Sequence, residues 1–193
     1  LVRVPTTEGN TIGQALDIGA HGVMVPMVET AQQARDLVRR AYYPPQGARG
    51  TAFGIAHDDY SQDAPAQIMK QANQRTLVIA MIETATGLAN VEEIAAVDGI
   101  DLLWLGHFDL TSSMGIAGQL ENPEYLAAIA RIVAAAKAQN KMAGYMAMND
   151  KFAREYWAHG FRMLAYGLDH VLLRSALQEG MTLIDTLSKR DTG

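Results

Sequence analysis

Leu77-Val78-Ile79-Ala80-Met81-Ile82 is followed at once by Glu83. Six apolar residues without polar alternation predict a strand buried on both faces, as in a parallel sheet covered by helices. An acid directly after such a run sits at the strand's carboxyl end. The same unit recurs on both sides. Upstream, Leu1 to Val4 and Gly22 to Val28 predict strands, and downstream so do Asp101 to Leu105, Met142 to Met146 and Phe161 to Ala165. Between them run stretches with 3.6-residue apolar spacing, predicting helices. These cover Thr11 to Ile18, a helix capped by Thr30 and ending before Pro44-Pro45, Ile68 to Asn73, Ala89 to Val97, Asn122 to about Gln139, Asp150 to His159, and Val171 to Leu187. Residues 46 to 66 are glycine-rich and polar with little periodicity, and a long loop of that kind is usually functional or mobile.

The pattern amounts to six β-α units in 193 residues. Parallel α/β architecture leaves a doubly wound sheet or a barrel. No Gly-x-Gly-x-x-Gly follows the first strand, which counts against a dinucleotide fold. At this spacing eight units would need about 250 residues, the usual length of a (β/α)8 TIM barrel. The expectation is a single domain over 1–193, a TIM barrel lacking its first two β-α units. On that reading roughly 60 upstream residues belong to the working protein, and the opening Leu1-Val2-Arg3 is not the natural start.

Composition narrows the function classes. The chain is 49% hydrophobic and 19% charged, with a net charge of −5 and no cysteine. Mild acidity without a long basic run argues against nucleic-acid binding. No run approaches 18 apolar residues, so no membrane span is expected. The missing cysteines exclude a disulfide scaffold and a thiolate-held metal, and they fit a cytoplasmic protein.

Catalytic groups of parallel α/β folds sit at strand carboxyl ends. Glu83 and Asp109 are both there, one β-α unit apart, so they lie on neighbouring strand ends about 4.8 Å apart. Two carboxylates that close repel unless a proton or cation lies between them. A hard divalent ion, Mg²⁺ or Mn²⁺, is the economical answer, completed by water and substrate oxygens. Taken alone, either acid reads equally well as the cap of the next helix. Arg3 ends the first strand and would face the same mouth, where a guanidinium binds a carboxylate or an oxyanion. It reads as readily as a surface arginine. His107 in Gly106-His107-Phe108-Asp109 reads best as a partly buried loop histidine. His21, His57, His159 and His170 are scattered and read as surface or helix-end residues. Met24, Met27, Met81, Met146 and Met148 read as core or pocket lining.

Several strings together resemble the HpcH/HpaI class II pyruvate aldolases. They are Val2-Arg3-Val4-Pro5, Leu16-Asp17-Ile18-Gly19-Ala20, Val23-Met24-Val25-Pro26-Met27-Val28, Tyr43-Pro44-Pro45-Gln46-Gly47-Ala48-Arg49-Gly50, Ile82-Glu83-Thr84 and Gly106-His107-Phe108-Asp109-Leu110. The resemblance runs nearly end to end. It implies a metal-dependent aldolase on a (β/α)8 barrel, acting on pyruvate and an aldehyde through 2-keto-3-deoxy or 4-hydroxy-2-oxo acids. It implies a homo-oligomer, a hexamer or trimer, whose last helix is exchanged between subunits. Glu83 and Asp109 match the metal ligands, with Mg²⁺ or Mn²⁺ expected and Co²⁺ a further candidate. Arg3 matches the arginine that contacts the pyruvyl oxygen. Asp17 matches an acid that pairs with a catalytic histidine of an adjacent subunit. Phe108 and Asp109 match the turn whose N–H groups hold the pyruvate carboxylate, and Met146 matches an apolar residue of the aldehyde pocket. Met81 stands where the family often has Gln, and His107-Phe108 where Pro and a small residue are common. The competing readings are a citrate-lyase-like enzyme that splits a CoA thioester, and a non-catalytic fragment or assembly module.

Overall fold

The structure, a computed structural model, describes residues 1–6 and 10–190. Strands and helices alternate: β1 (Val2–Arg3), α1 (Thr11–Asp17), β2 (Gly22–Val25), α2 (Ala31–Ala41), α3 (Pro65–Arg75), β3 (Leu77–Ile82), α4 (Ala85–Ala89), α5 (Val91–Ala95), β4 (Leu102–Leu105), α6 (His107–Ser113), α7 (Pro123–Ala138), β5 (Met142–Ala147), α8 (Asp150–Ala158), β6 (Met163–Tyr166) and α9 (Asp169–Arg190). The six strands form one sheet in the order β1-β2-β3-β4-β5-β6, with every adjacent pair parallel. A doubly wound sheet reverses its strand order at a switch point. This one never does, so it curves on as a half-barrel.

Local chemistry explains most boundaries. Thr30 caps α2 with a full capping box: its hydroxyl accepts from Gln33 N at 3.2 Å while Gln33 Oε1 accepts from Thr30 N at 3.1 Å. Asn122 caps α7 with Pro123 at the first helical position. Several expected elements shift: the Gly22 to Val28 strand ends at Val25, before Pro26, and the last helix spans Asp169–Arg190. The Ile68 to Asn73 helix extends to Pro65–Arg75, because Pro65 supplies a start that lacks apolar periodicity. The Ala89 to Val97 helix is two short helices broken at Asn90, whose side chain is drawn off to Glu29 O at 2.8 Å. The last strand begins at Met163, because Phe161 packs into the core against Tyr145 and Tyr156.

The strand period of two sorts the side chains by face. Val23 and Val25, Val78, Ala80 and Ile82, Leu103 and Leu105, and Ala143, Tyr145 and Ala147 meet the helices in the main core. Ile79, Met81, Leu102 and Trp104 point the other way, with Met24, Met146 and Met163 packed on them. This second, methionine-rich layer is the floor of the concave face. α9 stands apart, with Leu172, Leu173, Leu177, Met181, Leu183, Ile184 and Leu187 all exposed. No helix of the described residues is long and apolar enough to cross a membrane.

Candidate active site

The sheet register carries the floor up to the mouth in steps. Met81 lies beside Trp104, and Trp104 beside Gly144. One step on, Glu83 lies beside Gly106, with Met146 and its register partner Ala165 beyond. Arg3, one strand past Met24, faces the same side. A cavity of about 440 Å³ opens here, lined by Arg3, Met24, Met81, Glu83, Trp104, Gly106, His107, Phe108, Asp109 and Met146, with Leu105 and Ala165. Five of the six residues expected at the site therefore meet: Arg3, Glu83, Phe108, Asp109 and Met146.

The alternative role of the two acids as helix caps does not hold. Thr84, not Glu83, caps α4, its hydroxyl accepting from Gly87 N at 2.9 Å. Gly106 occupies the cap position of α6 without any side-chain bond, and Asp109 stands in the first turn, exposed. Glu83 is buried and turned inward, and its Oε1 accepts from Met27 N at 2.8 Å. Burial pushes the Glu83 carboxyl above its usual range. The Met27 N–H works against that, nearby Asp109 adds to the rise, and Arg3 lowers it.

His107 is buried, its ring 5.1 Å from that of Tyr145 and 4.2 Å from that of Phe108. It opens α6 instead of lying in a loop and is buried outright, a correction to the sequence reading, and burial holds its pKa below the ordinary imidazole value. His57 corrects the sequence reading. It is buried rather than superficial, because residues 46–66 fold back on Tyr43 and place His57 at 6.4 Å from that ring, with Nε2 bonded to Ala52 O.

Asp17 lies apart from the cavity, at the end of α1. Its Oδ1 accepts from Arg49 Nη2 at 2.7 Å, and its side chain stays half exposed. Two contributors escaped the sequence reading. At Gly106 any Cβ would overlap the Glu83 side chain. Met27 holds Glu83 through its main chain, which no side-chain pattern reveals; only the preceding Pro26 marks the spot.

The oxygen-only pair of acids is a donor set suited to a hard divalent cation. Among the described residues no cluster of three His, Cys, Asp or Glu side chains forms. Water and substrate oxygens would therefore complete the sphere.

Comparison with known proteins identifies the family of the chain. A family model described as HpcH/HpaI aldolase/citrate lyase matches residues 1–176. A hydroxypyruvate/pyruvate aldolase of Delftia acidovorans is 42% identical over 175 residues, which is 90% of this chain and 65% of that protein. A 5-keto-4-deoxy-D-glucarate aldolase of Klebsiella pneumoniae is 38% identical over 179 residues, 93% of this chain and 69% of that protein. Among solved structures, an HpcH/HpaI aldolase/citrate lyase family protein of Burkholderia cenocepacia aligns with a TM-score of 0.87 at 32% identity, over 95% of this chain and 73% of that one. The chain spans about two thirds of the length of the curated relatives it matches. With its half-barrel and its paired acids at adjacent strand ends, the chain belongs to the HpcH/HpaI aldolase/citrate lyase family.

Proposed function

We propose that this chain is part of a divalent-metal-dependent pyruvate aldolase built on a (β/α)8 barrel. The observation that carries the reading is the meeting of Glu83, Asp109 and Arg3 in one cavity, Glu83 and Asp109 beyond the neighbouring strands β3 and β4 and Arg3 at the end of β1. Relatives named as pyruvate and keto-deoxy-sugar-acid aldolases support the reaction class.

Glu83 and Asp109 would hold Mg²⁺ or Mn²⁺. When bound, the ion supplies Lewis acidity at the keto oxygen of pyruvate, where charge develops as an α-proton leaves. Arg3 adds a fixed positive charge at the same oxygen. The first-turn N–H groups of α6, at Phe108 and Asp109, have no intrahelical partners and suit the pyruvate carboxylate. The apolar wall of Met24, Met81, Trp104 and Met146 limits access of water to the carbanion and receives the aldehyde. Asp17 has one oxygen occupied by Arg49 and its side chain half exposed. This supports a role toward a histidine of a neighbouring copy, the general base that would take the α-proton through water, instead of a role in its own cavity. The exposed apolar residues of α9 support a homo-oligomer, a hexamer or trimer.

The test is retro-aldol cleavage of a 4-hydroxy-2-oxo acid, followed by pyruvate release. Activity should vanish with EDTA and return with Mn²⁺ or Mg²⁺. A full rate in EDTA would overturn the assignment. Cleavage of a CoA thioester instead would move it to the citrate-lyase side of the family.

A further inference from the structure

Met27 is an exposed methionine in the left-handed backbone region, with φ of 55°. Residues other than glycine, asparagine and aspartate rarely adopt it, because Cβ crowds the following carbonyl. Such outliers persist only where the surroundings enforce them, and they concentrate at functional sites.

The surroundings here are specific. The β2–β3 ladder runs to the Val25–Ala80 rung. Pro26 then has no N–H to donate, so the ladder stops. It resumes beyond Met27, where Val28 N donates to Met81 O at 3.3 Å. Between the two rungs the chain must turn aside, and the N–H of Met27 reaches Glu83 Oε1 at 2.8 Å. Packing supports the turn from behind. A Cβ on Gly87 would come within 2.7 Å of Val28 O, and Asn90 Nδ2 donates to Glu29 O at 2.8 Å.

The other face of Glu83 is bounded as tightly. A Cβ on Gly106 would overlap Glu83 Oε2 and stand 2.6 Å from Glu83 Cβ. Among the described residues Oε2 accepts no hydrogen bond. The carboxylate is thus held by one oxygen and lies against Gly106, the cap position of α6, where any Cβ would meet it.

We propose that Met27 and Gly106 are positioning residues that make Glu83 a one-oxygen ligand, with Oε1 held by the left-handed Met27 N–H and Oε2 alone offered to a divalent cation. The inference rests on the metal reading above and adds a selectivity to it. A carboxylate fixed through one oxygen suits the small, octahedral Mg²⁺ and Mn²⁺. A carboxylate free to rotate can chelate through both oxygens, which suits the larger and more flexibly coordinated Ca²⁺.

The experiment measures Mn²⁺ and Ca²⁺ binding by calorimetry to the wild-type protein and to M27G, M27V and G106A, with circular dichroism and melting curves for each. M27G keeps the N–H and tolerates the backbone angle, so its Mn²⁺ affinity should stay within about twofold of wild type. M27V removes the same side chain but disfavours the left-handed region through β-branching. It should lose at least about tenfold in Mn²⁺ affinity, and its preference for Mn²⁺ over Ca²⁺ should narrow. G106A, approaching Glu83 from the other side, should do the same while remaining folded. A general loss of structure would weaken both ions together, whereas a released carboxylate changes their ratio. Wild-type affinity and ratio in M27V and G106A would overturn the proposal, as would equal losses in M27G and M27V. If the wild-type protein binds neither ion, the metal reading itself fails and takes the proposal with it.

Discussion

Arg49 and Asp17 form a 2.7 Å ion pair between unequal partners: the arginine side chain is 5% exposed and the carboxylate 47%. The guanidinium lies over the Tyr43 ring, 4.6 Å from its centre, and its Nε is sealed from solvent without a partner among the described residues. The burden of the pair therefore falls on Arg49. Removing the acid leaves a buried cation poorly compensated, while removing the cation leaves only a half-wet carboxylate. Asp17→Ala should cost about 1–3 kcal/mol, discounted from the fully buried case for the exposure of the acid. Adding Arg49→Met to it should cost less than the sum of the single changes. A urea-denaturation double-mutant cycle checks this, and strict additivity would show that the pair is already balanced by water.

Alkaline pH should unfold the protein through its tyrosines. Burial, the leading cause in each case, raises the pKa of Tyr42, Tyr125, Tyr145 and Tyr156 above the ordinary value. Asp101 adds to the rise at Tyr42, Tyr156 adds to it at Tyr145, and Tyr125 adds to it at Tyr156 against a smaller lowering by Tyr145. A raised folded-state pKa means that the unfolded chain loses its proton first. The stability these groups contribute is complete below about pH 10, the unfolded tyrosine value, and is lost as pH rises beyond it. Each should steepen the loss by about 1.4 kcal/mol per pH unit. Denaturation midpoints between pH 8 and 11 should be level up to the tyrosine range and then fall. A midpoint that is level throughout would contradict the burial of these hydroxyls.

The three tyrosines of that cluster should not respond alike to loss of the hydroxyl. Tyr125 and Tyr156 share a hydrogen bond at 2.5 Å, and Tyr145 stacks on Tyr156 at 3.5 Å between ring centres, its buried hydroxyl beside that of Tyr156 but without a well-formed hydrogen bond among the described residues. Tyr125→Phe strands the Tyr156 oxygen and should cost about 1–3 kcal/mol. Tyr145→Phe removes an unsatisfied group and keeps the ring, so it should be neutral or stabilising. Thermal melts of the two variants give the order, and a larger loss in Tyr145→Phe would reverse it.

The β-α alternation was legible because buried parallel strands leave unbroken apolar runs. Leu77 to Ile82 matches its strand residue for residue. Glu83 was legible for the same reason, since a polar residue closing such a run can only lie at the sheet's end, and Asp109 was legible from the turn Gly106-His107-Phe108 that carries the chain from β4 into α6. The His57 pocket was not, because loop 46–66 is held by contacts of Tyr43 and Arg49 that have no period. Nor was the left-handed Met27. Backbone sign is not written in a methionine, and it emerges only when Pro26 interrupts a ladder that Val28 rejoins.

Trp104 should report on the cavity. It is 7% exposed, belongs to the concave floor, and lines the same cavity as Glu83 and Asp109. The other tryptophan, Trp157, is 52% exposed on α8 with Arg162 over its ring at 4.6 Å. Mn²⁺ is paramagnetic and quenches a nearby indole, so titration should dim the buried, blue-shifted part of the emission and spare the exposed part. Trp157→Phe should retain the whole response and Trp104→Phe should lose it. Gly144→Ala adds a third arm. Its Cβ would press on the Trp104 ring and stand 2.8 Å from Leu102 Cδ2, so the ring must shift into the cavity. That overpacking should cost about 1–3 kcal/mol and weaken the quenching. A response that survives in Trp104→Phe and disappears in Trp157→Phe would place the cation on the outer face, away from Glu83.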